Sequence, residues 1–149
     1  LSAVGLRQLN LKSDIILYMD PVTNANSALD NGNQELQSLR SEKQDLQDQV
    51  QELESEIESL KQTAQTQQAA DSAMFQASAA SSRRNISQKE RETERTETEI
   101  NRVEDQINKL EFAVQTLQET LHTYEADPEN SKYGAKLDGA AKKVLRYTA

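Results

Sequence analysis

The chain has 149 residues, 28% of them charged and only 4% aromatic, with no tryptophan, so it lacks the large apolar side chains that usually fill a globular core of this length. Its formal net charge of -8 disfavours a nucleic-acid partner, because phosphate contacts need a basic face. The absence of cysteine removes disulfides and thiol chemistry, and a mere four glycines and two prolines favour long uninterrupted helices.

Residues 1–32 are read as an apolar N-terminal segment followed by a turn. Leu9, Leu11, Ile15, Ile16, Leu17, Tyr18 and Met19 form a dense apolar cluster. Ser13-Asp14 suits the cap of a short helix that Pro21 would end, although the alternation Leu9-Asn10-Leu11 equally suits a strand. The cluster is expected to be a docking patch for a neighbouring subunit, the alternative being a segment folded back on the rest of the chain. Asp30-Asn31-Gly32 is a turn signal, and Asn33 then reads as the cap of a long helix over about 33–78.

That helix carries Leu36, Leu39, Leu46, Val50, Leu53, Ile57 and Leu60 at alternating steps of three and four. This is the heptad repeat of a coiled coil, with Lys43 as its one polar interruption. β-branched residues at the first seam position with leucine at the second favour two strands, and Lys43 either fixes register or reaches out past the seam. The flanking charges are compatible with parallel self-pairing, in which Glu35 would meet Arg40 and Glu56 would meet Lys61 of a second copy.

Residues 62–85 lose the strong seam. Extending the first heptad frame forward puts Met74 on the stripe, and extending the later one backward puts Phe75 and Ile86 there, so the frames disagree by one residue. A phase break is therefore expected near 74–86, with a turn near 78–86 and a second long helix over about 87–126. Asn85-Ile86-Ser87 also matches a glycosylation sequon, a short pattern that arises often by chance. After a mixed-charge stretch from Lys89 to Glu99, a second seam runs through Ile100, Val103, Ile107, Leu110, Val114, Leu117, Leu121 and Tyr124. The single histidine, His122, has no cysteine or second histidine with which to hold a metal, and reads as a surface residue.

Residues 127–149 read as a linker and a basic amphipathic tail. Leu137, Ala141, Val144 and Leu145 share a helical face, and Lys136, Lys142, Lys143 and Arg146 supply positive charge. The tail is expected to meet an acidic coil of a neighbouring subunit.

The fold class expected is all-α: an elongated coiled coil forming an antiparallel helical hairpin, with a short apolar N-terminal segment and a short C-terminal helix. The hairpin register proposed sets Leu36 against Tyr124, Leu46 against Val114 and Leu60 against Ile100, so that first seam positions face second ones. One continuous rod over 33–127 is the alternative. No Gly-rich phosphate loop, metal constellation or nucleophile with a base is found, so neither enzymatic activity nor a cofactor is expected. The leading reading is a structural subunit whose partner is itself, in an oligomeric bundle or filament. A second is an adaptor or export-apparatus component bound to another coiled-coil protein, including an extracellular secretion filament or tip subunit. A third is a peripheral membrane-surface protein using the tail. With no apolar run long enough to span a bilayer, the chain is expected to be soluble, either cytoplasmic or exported without disulfides.

Overall fold

The structure, a computed structural model, describes residues 20–68 and 73–149, and side chains outside 67–76. Within the described residues all regular structure is helical: α1 is Pro21–Gln68, α2 is Ala73–Ala126 and α3 is Ser131–Tyr147. The expected docking patch, Leu9, Leu11, Ile15, Ile16, Leu17, Tyr18 and Met19, lies outside the described residues, as do Ser13-Asp14 and the side chains of Met74 and Phe75.

Both long helices begin earlier than expected. Pro21 opens α1: its fixed φ suits the first turn, where its missing N–H is not needed. Asp20 caps this end, its carboxylate accepting from the Val22 backbone N–H at 3.1 Å. The expected turn at Asp30-Asn31-Gly32 is helical throughout. The expected phase break and turn at 74–86 is also helical, so residues 73–78 open α2 and do not continue α1. The two heptad frames belong to two separate helices, so neither helix has to absorb a stutter. Both boundaries were hidden for one reason: the seam continues through them on small residues. Ala25, Ala28 and Gly32 are buried on α1, and Ala79 and Ser82 on α2. Alanine favours helix but gives a weak apolar signal.

The chain divides into two units. The first comprises, among described residues, 20–38 and 107–149, which holds the start of α1, the end of α2 and all of α3. Each helix contributes one apolar face: Ala25, Ala28 and Leu36 from α1, Leu110, Val114 and Leu117 from α2, and Leu137, Ala141 and Val144 from α3. The three helices converge at Gly32. A Cβ built there would stand 2.8 Å from Val114 Cγ2 and 2.9 Å from Val144 Cγ1, so a glycine is what permits the approach.

The link from α2 to α3 ends in a cap. Asn130 has an extended backbone, and its side chain accepts from the Lys132 N–H at 3.0 Å. Asn130→Ala should lower stability by about 1 kcal/mol in urea unfolding followed by circular dichroism, while Asn130→Asp should be nearly silent. Equal midpoints for Asn130→Ala and the parent chain would show that the cap contributes nothing.

The second unit is Leu39–Gln106. Here α1 and α2 have no third helix to pack on among the described residues. Its seam is accordingly less covered: Leu39, Ile57 and Val103 are buried, but Leu46, Val50, Leu53, Leu60 and Ile100 are half-buried. Ion pairs join the two helices at three places. Lys43 Nζ lies 3.0 Å from Glu104, an Arg102 guanidinium nitrogen lies 4.0 Å from Glu42, and Lys89 meets Glu56. Residue numbers rise along α1 as they fall along α2.

Candidate functional site

The residues singled out as the seam all lie on covered faces. Leu36, Leu39, Ile57, Val103, Ile107, Leu110, Val114 and Leu117 are buried, and Leu46, Val50, Leu53, Leu60, Ile100, Leu121 and Tyr124 are half-buried. Their pairing differs from the one expected. The proposed register would have set Lys43 near Leu117, yet its ammonium reaches Glu104, and Gly32 faces Val114. The helices are thus displaced by about two heptads from that register, a slip that a repeating pattern tolerates because it returns the same seam positions to each other. Lys43 itself is half-buried and extends past the seam to a carboxylate on the facing helix. Glu56, which parallel self-pairing would have given to Lys61 of another copy, is engaged by Lys89 of the same chain.

These pairs leave their mark on the titrating groups. The hydrogen bond from Lys89 to Glu56 holds the lysine above its ordinary value, with partial desolvation opposing and the charges of Glu56, Glu92 and Glu52 reinforcing. The stabilisation this implies is fully present at neutral pH and fades only as alkaline pH passes the raised Lys89 value. On the outer surface of α2, the hydrogen bond from Arg102 holds the Glu99 carboxyl below its ordinary value and raises the arginine in turn.

The basic tail folds onto its own chain. Leu137, Ala141 and Val144 are buried within the first unit and Leu145 is half-buried, whereas Lys136, Lys142, Lys143 and Arg146 are exposed. Lys142 makes a local ion pair with Asp138 at 3.0 Å. His122 is exposed, and Asn85-Ile86-Ser87 lies inside α2 with Ile86 buried. Among the described residues, no group of three or more His, Cys, Asp or Glu is placed to hold a metal ion, and no helix is long and apolar enough to cross a membrane.

Two features were not singled out from the sequence. Phe112 is 65% exposed on α2, the most exposed large apolar side chain described. An open groove in the second unit follows the outer side of α2 and is lined by Arg83, Arg84, Arg91 and Arg95, with Ser87 and Gln88 between them and Glu92 at its edge. The signal for the second lay in the sequence, as arginines at helical spacing, but it is diluted there by the intervening glutamates. Compared with protein-family models, with curated proteins and with solved structures, the chain matches none.

Proposed function

We propose that the chain is a non-enzymatic structural subunit, an antiparallel coiled-coil hairpin that self-assembles into an oligomeric bundle or filament. The observation that carries this reading is the run of half-buried seam residues in the second unit, Leu46, Val50, Leu53, Leu60 and Ile100. Two helices cover a shared stripe from one side each and leave its flanks open, and a second pair of helices would close them as in a four-helix bundle. The three ion pairs running in opposite senses support the hairpin. Carboxylates are abundant, but their arrangement on solvated helix faces favours solubility over acid–base chemistry.

The adaptor or export-apparatus reading keeps a place because of Phe112, whose exposed ring would suit a foreign partner as an anchor. The membrane-surface reading is disfavoured, since it would need Leu137, Ala141 and Val144 exposed and they are buried. Sedimentation velocity of the full chain at low salt separates the first two. Species that grow with concentration are expected. The sedimentation coefficient of a single chain, held from micromolar to hundreds of micromolar, would remove self-assembly and leave the adaptor.

A further inference from the structure

The outer faces of the helix pair in the second unit carry opposite charge at the same spacing. On α2 the side away from the seam presents Arg84, Gln88, Arg91, Arg95, Thr98 and Arg102, at steps of four and three. All six are exposed, four are cationic and none is acidic. On α1 the corresponding side presents Ser41, Asp45, Asp48, Glu52, Ser55 and Ser59, again at steps of four and three. All six are exposed, three are anionic and none is basic. Residues at such steps form one ridge along a helix, so each stripe is continuous. Glu90 and Glu94 occur between the arginines in sequence but fall off the ridge.

Arg84, Arg91 and Arg95 have no ion-pair partner among the described residues, whereas Lys89, on the inner side of the same segment, pairs with Glu56. The inner charges are satisfied within the chain; of the outer arginines, Arg102 is engaged by Glu99 and Glu42, and Arg84, Arg91 and Arg95 are left over. Arginine is also the cation best matched to carboxylates, through its planar fork of donors.

We infer that the α2 arginine stripe is a docking surface for the α1 carboxylate stripe of a second copy of this chain. The register supports it. Because Lys89 reaches Glu56 and Arg102 approaches Glu42, Arg91 and Arg95 stand at the height of the α1 stretch from Asp48 to Glu54. Two copies set side by side, pointing the same way and level with each other, therefore bring Arg91 and Arg95 against Asp48 and Glu52. Each copy presents one stripe and accepts the other, so the contact is heterologous: it closes into a ring or propagates as a filament. Individual exposed pairs are weak, and the stripe acts as an aligned row that sets neighbour and register, with strong dependence on salt.

The inference rests on the self-assembly reading and is tested apart from it. Two variants of the full chain are made, Arg91→Glu with Arg95→Glu, and Asp48→Arg with Glu52→Arg. At the substituted positions and those they face, the first is acidic on both outer faces and the second basic on both. Each alone should lose association by more than about tenfold in sedimentation velocity at low salt, with helix content by circular dichroism unchanged. An equimolar mixture should regain it, because acidic and basic copies alternate. Assembly of the parent chain that survives both double substitutions, or a mixture that stays dissociated, overturns the arginine–carboxylate contact and leaves self-assembly standing. A parent chain that never associates overturns both. Should a charge reversal disturb folding, Arg91→Gln with Arg95→Gln replaces it, and association whose salt dependence is unchanged in that variant overturns the contact.

Discussion

Leu117→Ala is expected to destabilise the chain by about 3 kcal/mol, and the same truncation at Leu53 by roughly half as much. Both leucines occupy the second seam position of a heptad, and the sequence gives no reason to rank them. Their surroundings differ. Leu117 has no exposed surface, whereas Leu53 is half-buried. Leu117 belongs to the unit in which α3 joins the long helices, and Leu53 to the unit built from two helices. Removing a fully enclosed side chain loses its transfer free energy and leaves a cavity that close-packed neighbours fill only in part. At a half-covered site the neighbours can relax and water can enter, so only part of the transfer term is lost. Urea unfolding of the two variants, followed by circular dichroism, measures both quantities. Equal losses at the two positions would show that α3 does not enclose the first unit as described.

The second large effect is expected at Gly32, with a sign that can be controlled. Glycine inside a helix normally weakens it by about 1 kcal/mol relative to alanine, so propensity alone says that Gly32→Ala should stabilise α1. Packing says the reverse. The added methyl would meet Val114 Cγ2 at 2.8 Å and Val144 Cγ1 at 2.9 Å, inside contact distance for both. Valine branches at Cβ and has little rotamer freedom with which to yield, so α2 or α3 must move. Overpacking of this kind costs about 1–3 kcal/mol, and against the propensity gain of about 1 kcal/mol the net result expected is a loss of up to about 2 kcal/mol. Gly139 provides the control. It is exposed on α3, and nothing lies within 4 Å of a Cβ built there. Gly139→Ala should therefore stabilise by about 0.5–1 kcal/mol. If both substitutions raise the urea midpoint, the three helices do not converge at Gly32.

The sequence by itself determined that the chain is helical and that its apolar residues form stripes of heptad period, because that signal is local and repeats. It also marked the end of α2, where Asp127-Pro128 stops the helix. The charge pattern on the helix faces was equally present in the residue order, though its two stripes separate only when inner and outer sides are known. Tertiary structure alone decided three things. It set the register of the two long helices, since a heptad pattern slipped by whole repeats looks the same to the seam, and only pairs such as Lys43 with Glu104 and Gly32 with Val114 tell the registers apart. It turned Asp30-Asn31-Gly32 from a turn signal into helix, because the free energy of bringing three helices together at Gly32 exceeds the weak local preference of those residues. And it gave the C-terminal helix a place on its own chain, where Leu137, Ala141 and Val144 find apolar neighbours far away in sequence, a long-range contact that no local pattern encodes.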